Sequence, residues 1–369
     1  MREILVISNT AFSVKKFRMH YLEKLAKTFS ISICTPDKYK LNKKRKNFKF
    51  YNFGYRNIIN EFFYFRKIIK QNNFKLIIVY SFKYQILLSI CNFFSKNNIL
   101  NIIAGKGSIY LIKNFLLKYL MQYILKIVLN NKNILCFINP YDKKFFEKKF
   151  KLNPSKTFLI PTEGTKIDKK LLKRKNHKKN FIFFARLIKQ KGIEDYLNAS
   201  KIINRKYPNI NFFVAGPSSK KILGQSTNLI MFHENYSKKI KNEFKFINFL
   251  GYKNDYKSIY AKMDCLISPS FSEGAGNSII EAMISKLFVI CYKNNGHRYI
   301  LKNTKNLICK KNNVKTLVKN IEKYLMLNNR EINKRVDKSF LIAKKQFNTF
   351  NTYNALINII NKIISRTKK

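Results

Sequence analysis

The chain contains no tryptophan, only 11 glycines and only 19 acidic residues, against 74 lysines and arginines. The resulting net charge of +55 would suit a protein with an anionic partner, such as nucleic acid, anionic lipid or a phosphorylated substrate. The abundant lysine, asparagine, isoleucine, phenylalanine and tyrosine all have codons rich in A and T. Codon drift is an equally good explanation of the charge, which alone therefore identifies no partner.

Cysteines are few and scattered, and none forms the C-x-x-C pair of a zinc or redox site. Isolated thiols inside apolar runs are typical of a reducing cytoplasm. The first residues run directly into a strand pattern without a secretory signal. No apolar stretch reaches the roughly 18 uninterrupted residues of a membrane span. We therefore expect a cytoplasmic protein.

Short apolar runs alternate with amphipathic segments, a rhythm that predicts parallel α/β structure. A polar, charged run at 171–180 predicts a linker. We expect two Rossmann-like domains facing a central cleft, an acceptor-binding one at 1–170 and a nucleotide-sugar-binding one at 181–345. A C-terminal helix at 346–369 is expected to pack back toward the first. Strands are predicted at 4–8, 30–34, 76–80, 99–104, 134–138, 181–185, 211–215, 246–250, 265–268 and 288–291.

Several motifs of metal, nucleotide and nucleic-acid sites are absent from the sequence. The sequence has no Asp-x-Asp pair, no H-E-x-x-H and no Cys/His spacing typical of zinc. The turn at 105–108 lacks the further glycines of a Walker or dinucleotide loop. No RNP sequence, zinc finger or heptad-backed basic region is present. We therefore expect no metal, no cofactor and no nucleic-acid partner.

The most informative segment runs from Ser268 to Glu281. A strand ends at Ser268, and a helix is predicted to begin near Asn277 or Ser278, where free backbone N–H groups attract a diphosphate. In the loop before this helix, glycines allow the backbone to approach a ligand closely. The donor-binding candidates of this segment are Gly274, Gly276, Asn277, Ser278 and Glu281.

This segment contains two glutamates, Glu273 in the loop and Glu281 on the predicted helix. Glu273 could accept hydrogen bonds from sugar hydroxyls, and Glu281 from both hydroxyls of a ribose. The alternative is an ordinary loop acid and a solvated helix acid, although acids are scarce in this chain. The spacing of the pair resembles the E-x7-E motif of glycosyltransferase family 4, whose members are retaining enzymes of the GT-B fold.

A second segment agrees with that resemblance. Residues 184–192 are similar to the family's R-x4-K-G segment, with Arg186 and Lys191 in its cationic positions. In the family these cations bind the diphosphate of the donor, and the resemblance implies that Arg186 and Lys191 do so here. Two cations after a strand would indeed neutralise a doubly charged leaving group.

The first half resembles a narrower group, the bacterial transferases of capsule, O-antigen and lipid-linked glycan assembly. Residues 8–18 are similar to their S-N-T-x-x-S-x-x-x-F-R opening, and 81–84, 105–108 and 139–142 to their T-x-K-P, G-x-G and N-P-x-D segments. The resemblance implies acceptor-side roles for Asn9, Ser13, Arg18, Lys83, Gly105 and Gly107.

Taken over nearly the whole chain, the resemblance implies a hexosyl- or N-acetylhexosaminyltransferase. The donor would be a nucleoside diphosphate sugar, expected to be UDP-linked, and the acceptor a polyprenyl-type lipid-linked glycan of surface polysaccharide or lipopolysaccharide synthesis. Glu273, Arg186 and Lys191 are the expected catalytic residues. A glutamate usual in the family is Tyr299 here, so the sugar is left open.

The stretch 111–128 places Lys113, Lys118 and Lys126 among large apolar side chains. This pattern predicts a helix on an anionic membrane surface, and hence peripheral association with the inner face of the cell membrane. A helix that packs between domains is an equally good interpretation.

Two other functions would fit parts of the sequence. A nucleic-acid-binding α/β protein would explain the charge, but aromatic and basic residues interleave everywhere and mark no single stripe. A catalytically inactive scaffold of a glycan-assembly complex would explain the resemblance. The presence of all four charged motif residues argues against it.

Overall fold

A computed structural model describes residues 3–37, 47–54, 57–92, 97–107, 114–130, 133–166, 178–217, 240–253, 255–310 and 312–366. The chain divides into two compact units. Unit 1 comprises Met1–Gly164 together with Thr349–Lys369, and unit 2 comprises Thr165–Asn348. Of the predicted linker, 171–177 lies outside the described residues, and a strand begins at Asn180.

Unit 1 is built on a seven-stranded sheet whose pairings are all parallel. The strand order is β3-β2-β1-β4-β5-β6-β7. The strands are β1 (Glu3–Ile7), β2 (Ser30–Thr35), β3 (Phe48–Asn52), β4 (Leu76–Val79), β5 (Ile99–Ile103), β6 (Ile134–Phe137) and β7 (Thr157–Leu159).

Helices follow most of these strands, as right-handed crossovers between parallel strands require. They are α1 (Ala11–Ser13), a π-helical turn (Val14–Arg18), α2 (Met19–Leu25), α3 (Ile58–Gln71), α4 (Phe82–Cys91), α5 (Phe115–Asn130) and α6 (Pro140–Phe150). The last helix of the chain, α13 (Thr349–Arg366), also belongs to unit 1 and packs on α2.

Unit 2 repeats this design with six parallel strands in the order β10-β9-β8-β11-β12-β13. Its strands are β8 (Asn180–Phe184), β9 (Asn211–Ala215), β10 (Ile247–Gly251), β11 (Cys265–Ser268), β12 (Phe288–Tyr292) and β13 (Leu307–Cys309). Its helices are α7 (Ile193–Lys206), α8 (Tyr256–Tyr260), α9 (Asn277–Ile284), α10 (Asn295–Ile300), α11 (Val314–Met326) and α12 (Asn329–Gln346).

Both units share the 3-2-1-4-5-6 strand order of the Rossmann fold. In such a sheet the crossovers change direction at one point, and a crevice opens there beyond the carboxyl ends of the strands. In unit 1 that point lies between β1 and β4, and in unit 2 between β8 and β11. The chain segments that leave these four strands therefore contain the candidate ligand-binding residues.

Each sheet is buried by apolar side chains on its helix-covered faces. One cluster in unit 2 is centred on Phe181, Tyr196, Phe212 and Tyr324, all of which are fully buried. All six cysteines are buried and unpaired, as reduced structural thiols are. None of the helices among the described residues is long and apolar enough to span a bilayer.

Three strands, β3, β7 and β13, lie where the sequence predicted none. The helix predicted over 111–128 spans Phe115–Asn130, and 111–113, which includes Lys113, lies outside the described residues. The other predicted strands are present with end shifts of one residue at most on either side.

Candidate functional site

The two cationic motif residues follow β8 directly. Arg186 lies two residues after the strand ends, and Lys191 ends a short 3-10 turn, Lys189–Lys191. Gly192 has φ +74°, and a Cβ there would lie 2.1 Å from the carbonyl oxygen of Pro269. Only glycine allows this approach, so the segment after β8 packs tightly on the segment after β11.

That close packing brings Glu273 to Lys191. The Lys191 ammonium donates to the Glu273 carboxylate at 2.5 Å, and both side chains are largely buried. Burial alone would raise the pKa of Glu273, but the charges of Lys191 and His297 and hydrogen bonds from Lys191 and Ser270 outweigh it and lower the pKa. Glu273 is therefore an anion at neutral pH.

Arg186 shares this environment. Burial lowers its pKa, and the nearby Glu273 carboxylate opposes that shift. One anion thus faces two cations, which leaves the cluster net positive. A cluster of this kind attracts a diphosphate, whose charges could replace those of the carboxylate.

The helix after the loop begins as the sequence predicted. Gly276, with φ +80°, occupies the N-cap position of α9, and no side chain caps the helix. The first backbone N–H groups, on Asn277 and Ser278, precede the first helical hydrogen bond, which Ile279 donates to Gly276. Such unpaired N–H groups at a helix start bind anions.

Glu281 lies on α9 and is only 8% exposed. Its charge raises the pKa of the buried phenol of Tyr260, after the larger effect of burial. Tyr260 in turn donates to the backbone carbonyl of Ser278 at 3.2 Å. Glu281 is thus a buried carboxylate near the start of α9, and the interpretation of it as a solvated helix acid is wrong.

The start of α10 contacts the loop that carries Glu273. The Gly296 N–H donates to the Glu273 carbonyl at 3.1 Å, and a Cβ on Gly296 would lie 2.7 Å from that oxygen. Asn294 donates to the Ser270 carbonyl at 2.9 Å. These contacts fix the backbone that presents Glu273.

His297, also in α10, is fully buried. Its Nδ1 donates to the carbonyl of Tyr292 at 2.8 Å, while Nε2 has no hydrogen-bond partner and lies beside Gly276. Burial lowers the pKa of His297 to about 4, although the Glu273 carboxylate opposes the shift. No site role was predicted for His297, nor for Ser270, although Ser270 lies in the segment from Ser268 to Glu281.

This histidine makes the stability of unit 2 depend on pH. The unfolded chain, with a histidine pKa near 6.5, takes up a proton before the folded one does, so stability falls as the pH drops from about 6.5 toward 4. We expect wild type to lose about 2 kcal/mol between pH 7.5 and 5 through this group, and His297→Gln to lose less over the same range. Urea unfolding at both pH values measures the difference, and equal losses in the two proteins would contradict it.

Two of the unit 1 candidates, Arg18 and Ser13, take part in a buried network around an ion pair. Arg18 donates to the Glu163 carboxylate at 2.8 Å and to the hydroxyls of Ser8 and Ser13 at 3.0 and 2.9 Å. Its guanidinium stacks on the Tyr80 ring, 4.0 Å from the centroid. Arg18 is therefore engaged inside the protein, where it positions the segment after β1.

The remaining unit 1 candidates lie at other points of the same sheet edge. Asn9 accepts weakly from Ser13 at 3.4 Å, and Lys83 pairs with the buried Glu61 at 2.6 Å. Gly105 and Gly107 have φ of +124° and +73° in the turn after β5. Glu163 and Tyr80, which the sequence had not singled out, both contact Arg18.

Comparison with known proteins relates unit 2 to the glycosyltransferases. Residues 165–339 match the model of Glycosyl transferases group 1. An uncharacterized glycosyltransferase of Haemophilus influenzae is 27% identical over 207 residues, which cover 55% of this chain. The matched region spans about half, 54%, of that relative.

Solved structures are similar over almost the whole chain. Sucrose-phosphate synthase of Thermosynechococcus elongatus has a TM-score of 0.81 at 14% identity, covering 99% of this chain and all of that one. Anabaena HepE, in complex with UDP and glucose, has a TM-score of 0.78 at 12% identity, covering 98% and 100%. These similarities confirm the predicted fold class, GT-B with two Rossmann-like α/β domains.

Proposed function

We propose that this protein is a glycosyltransferase of family 4 that transfers a sugar from a UDP-linked donor to a lipid-linked glycan. The observation that carries the proposal is the convergence of Lys191, Arg186 and ionised Glu273 beside the start of α9, with Glu281 buried on that helix. The family match of unit 2 supports it, as does the UDP held by HepE.

In the proposed reaction the bond from the sugar C1 to the diphosphate oxygen breaks, and a bond from C1 to the acceptor oxygen forms. Negative charge develops on the departing diphosphate. Arg186, Lys191 and the backbone N–H groups of Asn277 and Ser278 would stabilise it, so the step would need no metal ion. These groups bind the leaving group more strongly as its charge grows.

The two glutamates would hold different parts of the donor. Glu273 would accept from sugar hydroxyls once the diphosphate draws Lys191 away, and Glu281 from the ribose. The acceptor hydroxyl would deliver its proton to the leaving diphosphate on the same face, which would retain the anomeric configuration. No separate base is needed in such a step.

The acceptor would bind unit 1 at the carboxyl edge of its sheet. Ser13, Asn9, Lys83 and the glycine turn after β5 are the candidate contacts. Arg18 would act as a positioning residue, because its guanidinium is already committed to Glu163 and the serines.

Peripheral attachment to the cytoplasmic face of an anionic membrane would bring the enzyme to a lipid-linked acceptor. Several large apolar side chains of α5 are exposed, including Leu116 at 78% and Tyr119 at 66%. Leu116, Leu120, Tyr123 and Ile127 recur at helical spacing and form one apolar stripe, and lysines lie alongside. An anionic bilayer fits such a helix, because it offers both an apolar interior and negative charge.

Glu281→Gln tests the donor site. The substitution preserves shape but removes the charge that would strengthen two ribose hydrogen bonds, a loss of about 1.5–3 kcal/mol. We expect a tenfold to hundredfold higher KM for the UDP-sugar, with kcat changed much less. Steady-state kinetics measures both, with Glu322→Gln on α11, where the carboxylate pairs with Lys206 at 2.7 Å, as the control. An unchanged KM would contradict the assignment.

A further inference from the structure

A buried imidazole lies directly beside the N-cap of α9. The His297 side chain is fully buried, and a Cβ on Gly276 would lie 3.3 Å from its Cδ2 and 3.4 Å from its Nε2. The carbonyl of Tyr292, at the end of β12, accepts from Nδ1, so the proton of the neutral ring lies on Nδ1. Asn294, whose amide nitrogen lies 3.0 Å from Nδ1, donates to the carbonyl of Ser270 instead. Nε2 is therefore an acceptor next to the proposed diphosphate site, and none of the described residues donates to it.

The charges around this ring favour its neutral form in the free protein. Burial lowers the pKa of His297 to about 4, the carboxylate of Glu273 on the donor loop opposes that shift, and Lys191 on the turn after β8 adds to it. The other ionisable side chains on the adjoining segments and on α10 are Arg186, Glu281, Tyr292, Lys293 and Arg298. The cations of the donor site and the apolar surroundings together keep the ring uncharged at neutral pH.

A diphosphate at the start of α9 would change that balance. It would bring several negative charges to a cluster in which Arg186 and Lys191 face the single carboxylate of Glu273. An anion close to a buried histidine favours the charged form of the ring. Binding and protonation would then favour each other, so UDP should bind more tightly as the pH falls and should take up protons from the solvent as it binds.

We propose that His297 is a proton-linked positioning residue of the donor site, whose neutral ring holds the N-cap of α9 in place and which becomes protonated when a diphosphate binds there. The added proton would place a third cation beside the diphosphate and offset part of the charge that develops on it during transfer. This role depends on the proposed donor site, but it assigns a residue that the proposed reaction does not use.

Calorimetric titration with UDP at pH 5.5, in two buffers with different ionisation enthalpies, measures the protons taken up on binding. Wild type should take up about half a proton more per UDP than His297→Asn, which keeps a donor at the position of Nδ1 but cannot titrate. The phosphate groups of UDP titrate alike with both proteins and cancel in the comparison. Between pH 7.5 and 5.5, the affinity of wild type for UDP should rise about threefold relative to that of the variant.

His20→Gln is the matched control. His20 lies on α2 of unit 1, and burial lowers its pKa to about 4 as well. Because it is not part of unit 2, its loss should leave the proton uptake at the wild-type value. Equal uptake by wild type and His297→Asn, or an equal loss of uptake in the two variants, would overturn the proposal.

The positioning role has a separate readout at pH 7.5, where the ring is neutral. His297→Ala removes both the bond to Tyr292 and the ring beside Gly276, so UDP should bind about tenfold more weakly. His297→Asn should recover most of that loss, because it restores the bond to Tyr292. An affinity in His297→Ala equal to that of wild type would contradict the positioning role.

Nuclear magnetic resonance gives a result on unmutated protein. The chain has four histidines, so the ring nitrogens of His297 can be followed individually after 15N labelling. UDP at pH 5.5 should move them toward the shifts of the protonated ring, and a ring that stays neutral would overturn the proposal. If UDP binds without protonation of His297, the glycosyltransferase proposal stands and the role of His297 fails. If UDP binds wild type at neither pH, both proposals fail.

Discussion

Glu273→Ala is expected to lower the rate of sugar transfer about a thousandfold. The carboxylate pairs with Lys191 in the loop after β11 and lies near Arg186, where it would orient the transferred sugar. Loss of one preorganised group at a reacting centre has this order of effect. UDP itself should bind as tightly as before or more tightly, since Lys191 and Arg186 would no longer face a competing carboxylate. The effect should therefore fall on kcat.

Single-turnover rates and UDP titration calorimetry separate these two outcomes. The control is Glu243→Ala, which removes an exposed carboxylate that pairs with Lys201 at 3.7 Å. It should leave both quantities unchanged. A Glu273→Ala enzyme with wild-type turnover would remove this residue from the active site, and one that lost UDP binding would give it a different role.

A second large effect is expected from substitution of Gly192, where two backbone segments of the candidate site pack closely. Gly192→Ala would place a Cβ 2.1 Å from the carbonyl oxygen of Pro269 at a φ of +74°. Since the contacted oxygen of Pro269 belongs to the backbone, the segments that follow β8 and β11 must move apart. We expect unit 2 to lose about 3 kcal/mol or more, from the left-handed conformation and the clash together.

Gly251→Ala is the matched control. Its φ is +67°, yet no atom lies within 4 Å of the position of an added Cβ. Only the conformational cost of about 1 kcal/mol applies there. Amide hydrogen exchange in β8 and β11 reports on unit 2 separately from unit 1. Similar protection in the two variants would show that the close approach at Gly192 contributes little.

The sequence predicted those parts of the fold in which apolar residues form a clear pattern. Buried parallel strands such as β4 and β12 are continuous apolar runs, and their predicted ends differ from the observed ones by one residue at most. The strands that were missed are short or peripheral. Edge strand β3 is half-exposed and has the sequence Phe-Lys-Phe-Tyr-Asn, and β7 and β13 have three residues each, too few for a pattern.

The candidate donor site was predictable because its residues follow strand ends at fixed spacings. Glu273, Arg186 and Lys191 are brought together in unit 2, as the motif resemblance implied. Groups that act through tertiary contact were not predictable. His297 and Glu163 have no local signature in the sequence, and their contacts join residues of separate segments.

Unit 2 is proposed to bind a nucleoside diphosphate sugar through Glu281 and the cluster of Arg186 and Lys191. The most direct test is a thermal-shift screen of wild type and Glu281→Gln with UDP, GDP, ADP and CMP. Ligand at 100 times its Kd stabilises a protein by about 2.7 kcal/mol, so one nucleoside diphosphate, expected to be UDP, should raise the melting temperature of wild type clearly and that of the variant much less. No shift with any of the nucleotides, or equal shifts in the two proteins, would contradict the account.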